Sequence, residues 1–600
     1  MAKVQDLDYG HRSLSRPRRG SRSTILIACS GLAIALVVSS VALNFLNVRI
    51  EVNIVGTDRM NPKIAQEKLT CRAPLPTLLA SHPPGPDAPG IKAASTSLDE
   101  FLSIRTAESD IDSLSIAVVT PDGPIFQRGY GVLRANESDA QNRGAITRDS
   151  IYRIASITKM FTVLDTLILR ERGVLNWDDT VTKFLPNFTF PSYGWSDFLN
   201  GNNYTAEHAS PITLRQLASH LSGIGRDYPP IDIGVPWPAP LSRGVKAAEE
   251  RKRMNVNSGA PVLDPVAKYP LVAPQYTFPI YSNTGFDVLG LCNVAANTLA
   301  TGKQLTYREQ MQQDIFEPLG MNSFYEVPHD SLAARVAVPA SDSELADLTF
   351  EPDNDASGGQ YSSLADLTTV MQTFLSPKAT GLISPYVVRE WLRPLHAWSD
   401  GFQEVGAPWE IAKVGREARV YSKGGNLPGY HSQFVLNPQW SYGVIVLVTG
   451  NYSDTVTLAR EAISRFQPAF ENLLLTQTLY AYGGVWVGDD SIALVTIEDG
   501  ALYLQTLLIG DQDVLAILQT PPRGKPAPNP KAVALWSTGR PHEFRLAIGR
   551  PELNDVPGAG CEPYWITLDF PFSRGAPLDL LYWDGSELVY PSAGVRLRRD

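Results

Sequence analysis

The sequence predicts an α+β fold: an antiparallel sheet flanked by helices with a helical subdomain, followed by a separate all-β domain at the C-terminus. Three observations carry this. Strand patterns stand at both ends of the central region, LSIAVVTPDGPIFQRGYGV near its start and SQFVLNPQWSYGVIVLVTG near its end, with helical patterns between them. That order suits a sheet assembled from both ends of a segment with helices packed against it. From about Tyr480 the chain changes to short apolar runs divided by Gly/Asp turns, as in GVWVGDDSIALVTIEDGALYLQTLLIG, which is an all-β pattern. Finally, 600 residues exceed what one ordinary core serves.

Taken in order, residues 1–23 are polar and carry six basic side chains (Lys3, Arg12, Arg16, Arg18, Arg19, Arg22) against Asp6 and Asp8, and they read as a cytoplasmic tail. Residues 24–46 carry no charge and are long enough for the ~30 Å hydrocarbon layer. A cleaved secretory signal has an apolar core of only about 7–15 residues, so a transmembrane signal anchor is expected. The basic flank then places the N-terminus in the cytoplasm and the rest of the chain beyond the membrane. The expected location is a single-pass membrane protein with its catalytic part outside the cytoplasm, or a secreted one if the segment is cleaved. Residues 47–96 read as a connector ending in the Pro/Gly-rich run PLPTLLASHPPGPDAPG.

The catalytic region is expected over residues 97–475. It opens with an amphipathic helix, LDEFLSIRTAES, and a hairpin around Pro-Asp-Gly. The run ITLRQLASHLSG reads as a capped helix closed by glycine. Residues 225–272 are Pro-rich and charged without a clear period, a long loop or insertion near the mouth of the site. SDTVTLAREAISRFQPAFENLL closes the region as a helix, and residues 476–600 form the β domain.

A net charge of -10 over this length argues against a nucleic-acid partner. With Cys29 in the apolar segment, Cys71, Cys292 and Cys561 remain, which makes one pair and one free thiol in an oxidising space. Cys292 sits in an apolar helix pattern and reads as a core cysteine, so Cys71–Cys561 is the expected pair. No Cys/His spacing suits zinc, and no metal or cofactor is expected. Asn136, Asn187, Asn203 and Asn451 head Asn-x-Ser/Thr sequons.

The chemistry centres on Ser156-Ile157-Thr158-Lys159, at the start of a helix that is apolar nearly all round. Residues three apart share a helix face, so Lys159 can lie beside the Ser156 hydroxyl. A serine becomes a nucleophile when a base takes its proton, and a lysine is that base once burial or a second cation lowers its pKa. Alone, Ser-x-x-Lys is also what a surface helix can carry. Two further motifs follow. Tyr281-Ser282-Asn283 sits on a short loop before an apolar helix, where a tyrosine near lysines can move a proton and Asn283 can bond a substrate amide and the lysine. Lys423-Gly424-Gly425-Asn426 leads into a buried strand, where glycines let a substrate lie against the backbone and the cation can hold a carboxylate and depress Lys159.

This ordered set resembles the serine beta-lactamase and penicillin-binding-protein superfamily, most closely the class C beta-lactamase-like esterases, in which the second motif is Tyr-x-Asn. YRIASITKMFT, ITLRQLASHLSG, IFEPLGMNSF and ASGGQYSSLADL are similar to that family, and the C-terminal region is similar to that of fungal secreted beta-lactamase-like proteins. The resemblance implies a beta-lactamase/transpeptidase-like fold. It implies Ser156 as the acylated nucleophile, Lys159 and Tyr281 as proton carriers, Asn283 and Lys423 with its glycines as substrate-binding groups, and the N–H groups of Ser156 and Asn426 as oxyanion hole. One departure is that glycine, where a hydroxyl residue often stands, follows Lys423. A His-based triad on His220 or His431 is disfavoured, since neither lies in a Gly-x-Ser-x-Gly context. The expected function is a serine hydrolase acting through an acyl-enzyme on a small-molecule ester, lactone or amide. An acyltransferase of the same fold, or an idle scaffold that keeps it, are the alternatives. Substrate and oligomeric state are not legible.

Overall fold

Long apolar runs at each end of the central region pair with one another. The computed structural model describes residues 71–600 apart from 72, 202–209, 229, 231–261, 328, 349, 351, 415–417, 521–529, 551–552, 555–558 and 570. Ile111–Thr120 (β1) and Gly123–Gly131 (β2) form the first hairpin. Ile151–Arg153 (β3) and Tyr361–Ser363 (β4) make a small ladder of their own. His396–Ala397 (β5), Gln403–Val405 (β6), Glu410–Val414 (β7), Ala418–Leu427 (β8), Tyr430–Asn437 (β9) and Tyr442–Gly450 (β10) complete an 8-stranded sheet in the order β2-β1-β10-β9-β8-β7-β6-β5. Strand β1 runs antiparallel to β10 from Ile111 opposite Gly450 to Val119 opposite Gly443, which joins the two ends of the region.

Side chains alternate across a strand, and here both faces are buried. Leu114, Ile116 and Val118 of β1 enter one core with Val444, Val446 and Val448 of β10, whereas Ala117, Val119, Ile445 and Leu447 enter the other. The second of these cores is filled by helices Thr158–Glu171, Asn283–Thr301 and Leu364–Leu375. The first is filled by Pro89–Arg105 and Thr455–Tyr482. Helix Pro89–Arg105 begins inside the stretch that reads as a connector. Its N-terminal proline is pre-set for a first helical turn, and Ile91, Ala94, Leu98 and Leu102 form its buried stripe.

Helix Thr455–Tyr482 runs past residue 475, and strand Gly484–Val487 follows it into the C-terminal domain. There Ser491–Glu498 pairs with both Gly484–Val487 and Ala501–Ile509, so eight strands of a nine-stranded sheet close on themselves as a barrel. Closure leaves few free edges. The barrel interior, including Trp486, Leu504 and Leu597, is continuous with the core under Phe466 and Phe470. Cys71 is bonded to Cys561 with Cα atoms 4.8 Å apart, and Cys292 is free and buried. These are the expected pairing and the expected core thiol.

The expected membrane span is corrected. No helix among the described residues is long and apolar enough to cross a membrane, and residues 24–46 lie outside the described residues. The membrane partner and the single-pass location rested on that apolar run alone and are withdrawn with it. The long described helices bury one face in protein: Thr455–Tyr482 hides Leu458, Phe466, Phe470 and Leu474 and exposes charged side chains. Of the sequon asparagines, Asn136, Asn187 and Asn451 are exposed, and Asn203 lies outside the described residues.

Candidate active site

Strand β3 hands the chain to a tight 3-10 turn, Ala155–Ile157, and helix Thr158–Glu171 follows at once. Ser156 therefore sits in the turn before the helix rather than in its first turn. Ala155 is held at φ 46, a left-handed conformation that strains a residue with a side chain by roughly 1–3 kcal/mol. The hydroxyl of Thr158 braces the turn by donating to the Ala155 carbonyl at 2.6 Å. Ser156 itself is half-buried and reachable from solvent.

Lys159 is fully buried. Its Nζ reaches the Ser156 hydroxyl at 3.2 Å, Asn283 Oδ1 at 2.7 Å and the Ser357 carbonyl oxygen at 2.6 Å. The two carbonyl oxygens can only accept. Nζ therefore donates to both, and of its partners here only the Ser156 hydroxyl can exchange a proton with it. Burial pushes the Lys159 ammonium below its usual range and the charge of Lys423 pushes the same way, while Tyr281 opposes both. The direction of that shift and the contact with Ser156 both favour proton transfer between the two groups.

Tyr281 lies between the cations. Lys159 Nζ is 5.0 Å, Lys423 Nζ 5.2 Å and the Arg226 guanidinium 4.8 Å from its ring centroid. Burial alone would raise the phenol, but Lys159 and Lys423 together with hydrogen bonds to Ser156 and Lys159 bring it down to about 8. Lys423 is the opposite case. Burial works against its charge, yet Glu410 and Tyr281 overcome that and raise it. The two lysines are driven apart, one toward the neutral base and one toward the permanent cation, a division typical of acid–base sites.

Asn283 is the first residue of helix Asn283–Thr301, whose N-cap Ser282 accepts from the Gly285 N–H at 2.8 Å. Its amide donates to Asp227 Oδ1 at 2.7 Å, and this orients its oxygen toward Lys159. Strand β8 passes against the nucleophile turn. A Cβ on Gly425 would lie 2.2 Å from the Ile154 carbonyl oxygen and 3.0 Å from the Ser156 nitrogen. Ser432 Oγ, opposite Gly425 on β9, donates to the same Ile154 carbonyl at 2.8 Å. A Cβ on Gly424 would meet the Gln433 side chain at 2.9 Å. Asn426 follows, exposed, with its side chain on His431.

The structure thus gathers Ser156, Lys159, Tyr281, Asn283, Lys423, Gly424 and Gly425 at one place, with Asn426 at its edge. Neither histidine contributes a base to Ser156. His220 stacks on the Tyr281 ring at 4.6 Å and its Nδ1 accepts from the Ser282 N–H, while His431 is hydrogen-bonded to Asn426 and Gly450. Burial and then the charges of Lys159, Lys423 and Arg226 hold His220 well below its usual range, so it is neutral. Three participants escape the sequence reading: Asp227, the Ser357 carbonyl and Glu410. Ser357 lies inside the family-like stretch ASGGQYSSLADL. Asp227 and Glu410 have no motif, and only the tertiary fold and the β7–β8 register, in which Glu410 faces Ser422, bring them in.

The family described as Beta-lactamase matches residues 98–465. The Beta-lactamase-like protein str6 of Strobilurus tenacellus is 35% identical over 305 residues, covering 49% of this chain and 98% of that protein. A Beta-lactamase-like protein of Arthroderma benhamiae is 28% identical over 472 residues, 72% of this chain and 70% of that protein. Among solved structures, a class C beta-lactamase from Rhodobacter sphaeroides is similar at 19% identity and a TM-score of 0.45, over 63% of this chain and 99% of that one.

Proposed function

The chain belongs to the beta-lactamase family, and on that premise we propose that it is a serine hydrolase that cleaves an ester, lactone or amide through an acyl-enzyme on Ser156. The observation that carries the reading is the contact of the buried Lys159 Nζ with the half-buried Ser156 hydroxyl at 3.2 Å, with Asn283 and the Ser357 carbonyl holding the lysine in place.

In this reading the Lys159–Tyr281 pair takes the Ser156 proton as Oγ bonds to the substrate carbonyl carbon. The carbonyl electron pair moves to oxygen and is met by the N–H groups of Ser156 and Asn426, a preorganised pair of donors of the kind that stabilises such an oxyanion. The bond to the leaving oxygen or nitrogen then breaks, and the leaving group takes the proton held by the pair. Water repeats the sequence on the acyl-enzyme: it gives a proton to the same pair, the acid departs, and Ser156 recovers its proton. Asn283, set by Asp227, keeps Lys159 in place.

The test is covalent labelling. The protein is treated with a fluorophosphonate and the adduct is mapped by peptide mass, alongside turnover of activated esters. Labelling on Ser156 that is lost in Ser156→Ala is expected. Folded protein that neither labels nor turns over any ester would overturn the reading.

A further inference from the structure

The buried cation nearest the glycine-rich strand, Lys423, is already matched. Lys423 Nζ, with its side chain 2% exposed, donates to Glu410 Oε1 at 2.6 Å and to the Gly424 carbonyl at 2.9 Å. Glu410 is half exposed, so its carboxylate stands at the solvent side of this buried ammonium. Arg226 lies beside its own neighbour, with Nε 3.7 Å from Asp227 Oδ2. The third cation-capable group, Lys159, is held by Ser156, Asn283 and the Ser357 carbonyl and lies beside the Tyr281 ring. After Lys423 come two glycines, so no hydroxyl follows it to bind a substrate carboxylate.

We propose that Glu410 is a specificity-determining residue that reserves the pocket for an uncharged acyl group and excludes substrates whose acyl chain carries a carboxylate. The inference rests on the hydrolase reading above and deepens it. A carboxylate entering toward Lys423 must displace a charge-assisted hydrogen bond already made to a buried donor, which is among the stronger hydrogen bonds. It would also come to rest against Glu410, and like charges side by side are unfavourable. An uncharged acyl chain meets neither obstacle. Lys423, in turn, is held in its charged form by Glu410 and Tyr281 together, and so goes on depressing Tyr281 without contacting substrate.

The experiment compares two activated esters on the full chain, p-nitrophenyl hexanoate and the p-nitrophenyl half-ester of adipate, which carries an ω-carboxylate. The readout is the ratio of their kcat/KM values within each variant, so that any change in the basal machinery cancels. The wild type is expected to favour the hexanoate by about tenfold or more. Glu410→Gln is expected to lower that ratio by about tenfold, because Lys423 is released for the substrate carboxylate. Glu410→Gln combined with Lys423→Met is expected to restore the preference for the neutral ester. Equal turnover of the two esters by the wild type, or a ratio that Glu410→Gln does not move, overturns this inference while fluorophosphonate labelling of Ser156 leaves the hydrolase reading standing. No labelling and no turnover of either ester overturns both.

Discussion

Gly425 and Ser156 approach so closely that a Cβ on the glycine would sit 3.0 Å from the serine nitrogen. The same Cβ would lie 2.2 Å from the Ile154 carbonyl and 2.5 Å from Ser432 Oγ, so the strand or the turn has to move. That nitrogen is one of the two donors proposed for the oxyanion, and loss of such a donor costs about 10²–10³ in kcat. Gly425→Ala is therefore expected to lower kcat by about that factor, with the protein still folded by circular dichroism. Wild-type turnover by this variant would show that strand β8 does not set the donor geometry.

The pH profile follows from Tyr281. Its phenol titrates at about 8, because Lys159 and Lys423 outweigh the effect of burial. Proton acceptance needs the deprotonated form, so kcat/KM for a neutral ester should rise as pH passes upward through about 8 and level off above it. Tyr281→Phe is expected to abolish that limb and lower kcat/KM by about 10²–10⁴. A Phe variant that keeps both the limb and the rate would assign the proton transfer to another group.

How much of this was legible beforehand differs residue by residue. Ser156 and Lys159 are adjacent in a helical register, so their contact follows from spacing alone. Lys423 announces itself by the glycines after it, and the tight fit of Gly425 explains why they are there. Cys71 and Cys561 pair across 490 residues and could be matched by eliminating Cys292. Glu410 was not legible, because it reaches Lys423 through strand register, and one residue of slip would turn it to the other face. Asp227 sits in an irregular segment with no period to read, and the strain at Ala155 has no sequence signature. The apolar run at residues 24–46 shows the reverse error, since hydropathy without a described helix does not establish a membrane span.

Asp227 supports a prediction that separates positioning from catalysis. Its Oδ1 accepts from the Asn283 amide at 2.7 Å, and Asn283 in turn accepts from Lys159. Asp227→Ala frees the Asn283 amide to turn and costs Lys159 an acceptor. The expected result is a fall in kcat of about tenfold and a displaced pH limb. Asp227→Asn keeps an acceptor at that position and should retain more activity with the wild-type profile. Equal losses in the two variants would point to the charge of Asp227 rather than its hydrogen bond.

Asp165, on the buried side of the nucleophile helix, makes the stability of the chain pH-dependent. One of its oxygens accepts from Asn293 at 2.9 Å and Gln310 at 2.8 Å, and the other is buried without a partner. Burial first, and then the neighbouring Asp314, raise the Asp165 carboxyl to about 8, against about 3.9 in an unfolded chain. The folded state therefore holds a proton that the unfolded state releases. Its contribution to stability is complete below about pH 4 and is lost as pH rises toward 8. Asp165→Asn keeps an amide oxygen for Asn293 and Gln310 and removes the titration. Relative to wild type, the variant should gain stability steadily from pH 5 to pH 8, by up to about 3–4 kcal/mol over that interval. Urea unfolding of both proteins at the two pH values measures this directly. A stability difference that stays constant with pH would mean that Asp165 is already ionised at pH 5, with Asn293 and Gln310 sufficient to hold its charge.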